Sequence, residues 1–183
     1  MKIWEIGAIE ERYDGLKPEN DYTYEEMMSF DGRSHKEDWA CRKVVPNVNP
    51  KKNPKFGDYS ECMGVLVFSE KAIEKLYDVM KDDIEILPLE CDYGTFSLIN
   101  VTTVLEALDH ENSKMDFFEG TNQIMYIEKY AFFEDKIKGH NMFRIIEQKA
   151  SRIFVTDKFV QTVKQNKLKG FRFNLVWDSE AED

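Results

Sequence analysis

Three histidines, three cysteines and several pairs of acids are the side chains in this sequence that could carry chemistry. His35, His110 and His140 fall into no HxH, HExxH or mixed Cys/His spacing, so no zinc centre is expected. Each stands beside charged or turn residues, where a solvated imidazole is the ordinary outcome. Cys41, Cys62 and Cys91 form no CxxC pair and no even disulfide framework, and they read as reduced thiols. Cys91 lies between an expected strand and a turn, as a nucleophile can, but no neighbouring histidine is there to deprotonate it. A small buried side chain is the better reading. The acid pairs Glu10-Glu11, Glu25-Glu26, Glu37-Asp38 and Asp82-Asp83 are adjacent in sequence. Glycosidase and metal chemistry need carboxylates that converge from different elements. There is no Walker loop, no GxGxxG after a strand and no GxSxG elbow. The expectation is therefore a protein without catalytic residues, metal or cofactor.

Binding chemistry is better represented. Residues 1–40 hold eleven Asp/Glu against five Lys/Arg. Tyr22, Tyr24 and Trp39 lie in that stretch among Glu25, Glu26, Glu37 and Asp38. Aromatics set in an acidic surface suit a basic protein partner, because Tyr and Trp are common anchors and opposite charge speeds encounter. The competing reading is that these aromatics cover the core. The whole chain carries a formal charge of −10, which repels phosphate backbones and makes nucleic acid a poor partner. Acidity also keeps a protein soluble, whatever it binds.

Residues 41–55 reverse the sign. Arg42, Lys43, Lys51, Lys52 and Lys55 meet no acid there, and Pro46, Pro50 and Pro54 alternate with Asn47, Asn49 and Asn53. Proline removes backbone donors and asparagine favours turns, so a solvated loop or extended connector is expected. The opening residues carry acids where a signal peptide needs an apolar run. No stretch approaches the roughly 20 apolar residues that span a bilayer. A cytoplasmic protein without a membrane partner is expected; the oligomeric state is not legible.

The elements that must position these residues are clearest after Phe56. Lys2 to Ile6 suits an opening strand, and Asp21 to Phe30 suits a strand or a short helix. Ser69 can cap a helix in which Ala72, Ile73, Leu76, Val79 and Met80 form one apolar face. Ile84 to Leu89 and Thr95 to Val101 read as strands around the turn Asp92-Tyr93-Gly94. Thr102 or Thr103 can cap a short helix over Val104 to Leu108. Further strands are expected at Ile124 to Lys129, Ala131 to Phe133, Phe143 to Ile146 and Ile153 to Val155. Thr156 can cap a second helix with Phe159, Val160 and Val163 inward. Gly170 suits the turn into a last strand whose Phe171, Phe173, Leu175 and Trp177 share a face. With 183 residues, 42% of them apolar, the chain can bury one sizeable core. Strands that follow one another without βαβ alternation predict an α+β fold, a mostly antiparallel sheet with two to four short helices. The expected organisation is an N-terminal acidic segment and basic loop over 1–55, packed on a main domain over 56–177, then an acidic tail over 178–183.

One run of segments is similar to a known family. In order they are Gly57-Asp58-Tyr59; Val67-Phe68-Ser69-Glu70-Lys71-Ala72; Leu87-Pro88-Leu89; Leu98-Ile99-Asn100-Val101-Thr102; Ala107-Leu108-Asp109 with Ser113; Phe143-Arg144; and Ile153 to Phe159 leading to Leu168-Lys169-Gly170-Phe171-Arg172-Phe173. Together they span about two thirds of the chain, and over Phe56 to Trp177 the chain resembles the eleventh immunity-protein family of bacterial polymorphic toxin systems. The resemblance implies a non-enzymatic protein that binds and neutralises a cognate toxin domain. If that toxin is a basic nuclease, acids such as Glu25, Glu26, Glu37 and Asp38 could mimic phosphate, with Tyr22, Tyr24 and Trp39 as anchors. Two other classes stay open: a small enzyme or ligand-binding protein whose pocket assembles on folding, and an adaptor outside toxin biology.

Overall fold

The computed structural model describes residues 1–9, 11–20, 23–48, 53–62 and 64–181, with the backbone alone at Tyr24 and Met27. Thirteen strands are described: β1 (Lys2–Ala8), β2 (Leu16–Pro18), β3 (Arg42–Pro46), β4 (Tyr59–Cys62), β5 (Val65–Ser69), β6 (Ile84–Glu90), β7 (Phe96–Val101), β8 (Val104–Leu105), β9 (Lys114–Phe117), β10 (Ile124–Lys129), β11 (Met142–Ile145), β12 (Phe154–Thr156) and β13 (Phe171–Asp178). The helices are α1 (Tyr24–Met28), α2 (Glu70–Met80), α3 (Glu134–Ile137) and α4 (Asp157–Gln165), with a 3₁₀ turn at Ile146–Gln148.

Six strands close a barrel in the order β2-β3-β6-β7-β5-β4, five form a sheet in the order β13-β1-β12-β11-β8, and β9 and β10 make a separate ribbon. Side-chain alternation explains how barrel and sheet share one core. On β5, Val65 and Val67 point into the barrel with Leu16, Val44, Leu87 and Leu98. Leu66 and Phe68 point outward, towards α2 and α4. A strand buried on both faces reads as a continuous apolar run, which is why Val65 to Phe68 shows no alternation in polarity.

Helices α2 and α4 fill the space between the outer wall of the barrel and one face of the sheet. Leu76 and Met80 meet Phe159, Val160 and Val163 there, with Ile6, Val155 and Phe171 from the sheet. The opposite face of the sheet offers Ile3, Phe143, Ile145 and Phe154, and is covered by Leu108, Ile127, Tyr130, Phe132 and Ile137. The amino-terminal strand β1 lies between β12 and β13, antiparallel to both.

Mixed α+β architecture stands, but the sheets are mixed, not mostly antiparallel. Parallel pairings join β2 to β4, β3 to β6 and β8 to β11. The first two close the barrel, and such long-range closures leave no local mark in sequence. The basic Pro/Asn-rich stretch contains β3, whose Val44 is buried. Pro46 ends that strand, where a missing N–H costs least. The expected helix after Thr102 and Thr103 is instead β8, because both threonines bind Asp83 through their backbone N–H and hydroxyl groups. Asp21 lies outside the described residues, and the segment behind it forms α1. Thr156 occupies the N-cap of α4, yet its hydroxyl donates to Asn141 Oδ1 at 3.0 Å and makes no cap bond. The proposed common face of β13 is broken by a bulge in its pairing with β1 at Ile3/Trp4. Phe171 and Phe173 join the helices, Trp177 joins the opposite face, and Leu175 is exposed.

Two carboxylates, Asp58 partly buried and Asp83 buried, tie the layers together. Asp58 accepts from Ser69 Oγ at 3.1 Å and from the Lys169 N–H at 2.8 Å, while Ser69 Oγ accepts from the Ala72 N–H at 3.2 Å as the cap of α2. Asp83, 2% exposed, accepts from Thr103 Oγ1, from His140 Nδ1 at 2.6 Å, and from the Asn141 and Met142 N–H groups at 2.8 and 3.1 Å. Gly170 completes the first tie. It has φ +94°, and a Cβ there would lie 2.5 Å from the Tyr59 carbonyl oxygen. Both the left-handed backbone and the backbone contact oppose any side chain. Gly170→Ala is expected to lower stability by at least about 2 kcal/mol, measured as a shift in urea midpoint; an unchanged midpoint would contradict the close approach.

Candidate functional site

The acid-aromatic residues picked from sequence partly converge. Thr23 and Glu26 form a reciprocal cap at the start of α1: the Thr23 N–H donates to Glu26 Oε2 at 2.9 Å, and the Glu26 N–H donates to Thr23 Oγ1 at 3.2 Å. This is the capping-box arrangement. Arg42 Nη2 of β3 then reaches Glu26 Oε1 at 2.8 Å. The Thr23 N–H, then Arg42, hold the Glu26 carboxyl below its ordinary range. The Arg42 guanidinium also stands 6.0 Å from the centre of the Trp39 ring, within reach of a cation–π contact.

Trp39 is half-buried against the barrel core, and its indole N–H donates to the Pro88 carbonyl at 2.9 Å. Phe30 is buried beside it, with ring centres 6.5 Å apart. His35 packs on Phe30 at 4.6 Å and places Nε2 3.0 Å from the Ser29 carbonyl. A carbonyl only accepts, so Nε2 carries the proton. Glu26, Phe30, His35, Asp38, Trp39 and Arg42 line a cleft of about 140 Å³.

Glu85 of β6 anchors the loop that carries Asp38 and Trp39. It accepts from Ser34 Oγ, from the His35 N–H at 2.9 Å and from Asn100 Nδ2 at 3.0 Å. Burial opposes its charge, but these bonds prevail and lower its pKa. Asp31 starts the same loop. It takes a two-pronged contact from Arg33 at 2.9 Å and lies 3.5 Å from Lys149 Nζ. The Arg33 hydrogen bonds pull its pKa from 3.8 down to about 2.

Glu25, Glu37 and Asp38 are exposed and make no ion pair among the described residues. Tyr22 lies outside the described residues, as do Glu10, Asn49, Pro50, Lys51 and Lys52 of the charged stretches; Tyr24 is placed only by its backbone in α1. Chemically, the cleft offers carboxylates at its rim and aromatic rings in its wall, which suits a cationic side chain.

Several other titratable groups make contacts within the scaffold. His140 is held by Asp83, and His110 Nε2 lies 2.6 Å from Glu147 Oε1. Burial raises the Cys62 thiol to about 11, which keeps it protonated. Cys91 packs partly buried against the barrel core. Burial lowers the Arg144 pKa to about 10, while its Nε and Nη1 donate to the carbonyls of Val101 and Lys149. A cleft of about 570 Å³ lies between the end of β10 and β13, lined by Lys129, Tyr130, Leu175, Trp177 and Asp178 among others, without His or Cys. Among the described residues, no three or more His, Cys, Asp or Glu converge as metal ligands, and no helix is long and apolar enough to cross a membrane.

The segments that carried the family resemblance therefore meet in space. Gly57-Asp58-Tyr59, Ser69 and Lys169-Gly170 form one tie, and Asn100 and Arg144 bond to backbone carbonyls around the barrel. A family model described as an immunity protein family (Imm11) matches residues 34–178. The chain belongs to the Imm11 immunity protein family. The match starts at Ser34, ahead of the Phe56 boundary read from sequence, so it takes in Glu37, Asp38 and Trp39 but not Glu25 or Glu26. No curated protein matches the chain.

The sequence reading missed a group of exposed apolar side chains in and beside β9 and β10. Its sequence signal was Phe117-Phe118 before the Gly120 turn, followed by Met125-Tyr126 in an acidic neighbourhood.

Asp31 gives this region a defined pH response. A carboxylate whose folded pKa is depressed contributes stability above its unfolded value and loses it as pH falls through the folded one. Asp31→Asn is expected to cost about 1–2 kcal/mol near neutrality, after discounting for solvent screening. The gap to wild type should close as pH drops from 3.8 towards about 2. Urea midpoints across that range check it; a gap that stays constant would show that the ion pair is not its source.

Proposed function

We propose that this protein neutralises a toxin domain by binding it and performs no reaction of its own. Membership of the Imm11 family over residues 34–178 carries this reading. The loop that anchors on Glu85 supports it in physical terms. A cleft with Asp38 and Glu26 at its edge and Trp39 in its wall is suited to receive a lysine or arginine from a basic partner. Glu25 and Glu37, both exposed, extend the negative rim. A toxin that handles nucleic acid would present such a cationic surface, and side-chain carboxylates would occupy positions that phosphates otherwise fill.

In this reading Trp39 acts as a fixed anchor. Its hydrogen bond to Pro88 and its contact with Arg42 hold the ring before any partner arrives, which limits the entropy lost on binding. Arg42 keeps Glu26 oriented, so it positions a carboxylate and does not itself attract a cation. The acidic rim governs the encounter rate and its salt dependence.

Co-expression with the cognate toxin domain should restore growth, and the two proteins should co-elute on gel filtration. Reversal of Glu25, Glu37 and Asp38 to lysine should weaken the complex roughly 10- to 100-fold at low salt, with the deficit shrinking as salt rises. Failure of the wild-type protein either to rescue growth or to form a complex would overturn the binding reading. Full affinity in the triple variant would remove the acidic rim from the interface and leave that reading intact.

A further inference from the structure

We propose that the exposed turn end of the β9–β10 ribbon is the apolar anchor of the toxin interface; this rests on the toxin-binding reading above. Ten large apolar side chains are exposed among the described residues, and four of them lie within 117–126: Phe117 at 46%, Phe118 at 47%, Met125 at 50% and Tyr126 at 44%. Isolated exposed apolar residues are ordinary on a surface. A local concentration of aromatic and methionine side chains is the composition of an interface core.

The geometry of the ribbon shows how Met125 and Tyr126 come to face solvent, while Phe117 pairs with Ile124 next to the exposed turn. Ile127 and Met115 are cross-strand partners and turn inward, where they join the cluster beneath the five-stranded sheet. Tyr126 pairs with Asp116 on the opposite face. The register then shifts between Ile124 and Tyr126, so Met125 is the extra residue of a bulge. Strict alternation would turn one of two successive residues inward. The bulge leaves both Met125 and Tyr126 in solvent, the re-aiming that bulges commonly provide beside functional sites.

The face is also ordered. The Phe118 N–H donates to the Gln123 carbonyl at 3.0 Å, and the Thr121 N–H and hydroxyl both donate to the Phe118 carbonyl at 3.0 Å. The Gln123 N–H donates to Thr121 Oγ1 at 3.1 Å, and Gly120 supplies the positive φ of +72° that the turn needs. The aromatic pair is therefore presented in one arrangement, which reduces the cost of docking.

Charge identifies the occupant. The stretch 106–129 contains six Asp/Glu and two Lys, a net −4. Lys114 is paired with Glu128 at 2.6 Å, and Asp116 accepts from the Tyr126 hydroxyl. A two-fold contact with a second copy would set Asp116, Glu119 and Glu128 against their own equivalents in a chain of charge −10. A partner with a cationic rim around an apolar pocket matches the face in both respects. The occupant is thus a toxin domain of that description.

The test uses the full chain and a catalytically inactivated form of the cognate toxin domain. Phe117→Ser combined with Met125→Ser should weaken the complex at least about 100-fold and abolish growth protection, with the far-ultraviolet spectrum and thermal midpoint close to wild type. A photo-crosslinker at position 126 should join to the purified toxin domain in the otherwise wild-type protein. Wild-type affinity in the double variant together with no crosslink would overturn the assignment while leaving toxin binding standing. A wild-type protein that sediments as a dimer, and becomes a monomer in the double variant, would assign the face to self-association and overturn the proposal.

Discussion

The Asp58 tie is the constraint on which the rest of this fold depends. One carboxylate accepts from the hydroxyl that caps α2 and from the backbone just before β13, so it connects barrel, helix and sheet. The tie requires backbones to approach closely. A Cβ at Gly57 would lie 2.9 Å from the Lys169 carbonyl, and one at Gly170 would lie closer still to Tyr59. Asp83 makes the second connection, from the end of α2 to β8 and β11. Between these two points, Phe68, Leu76, Phe159 and Phe171 fill the shared core. Truncating any such buried side chain to alanine costs about 2–5 kcal/mol.

This arrangement separates scaffold from surface. Asp58, Ser69, Asn100, Arg144 and Gly170, which belong to the recognisable segments, are engaged in capping, turn formation and backbone hydrogen bonds. None is left exposed to meet a partner. The side chains available for binding come from elsewhere: the loop held by Glu85, and the ribbon laid over the far face of the sheet. In the interface proposed above, the acidic cleft would contribute charge and one fixed indole, and the ribbon apolar area.

Much of the scaffold was legible because its signals are local. A serine cap and five apolar residues at helical spacing located α2, and Gly170 marked the start of β13. Strands β6, β7 and β10 followed from length and composition. What escaped depends on distant parts of the chain. The Pro/Asn stretch became β3 because β6 offered it a parallel edge, which no property of residues 41–46 announces. Thr102 and Thr103 had the composition of caps, but Asp83 claimed both. Trp39 and Asp38 were chosen from sequence, and their cleft depends on Glu26 and Arg42 meeting across a gap of sixteen residues. The exposed end of the ribbon escaped because Phe117 and Met125 look like core residues, until a bulge turns Met125 outward and Phe117 falls beside the exposed hairpin turn.

A stoichiometric titration tests the central claim most directly. Purified protein would be added in steps to a fixed amount of active toxin domain, and residual toxin activity measured at increasing times. A neutralising binder predicts a sharp end point at one protein per toxin that does not change with incubation. Progressive loss of toxin activity at much smaller amounts of protein would mean turnover, and would contradict the account.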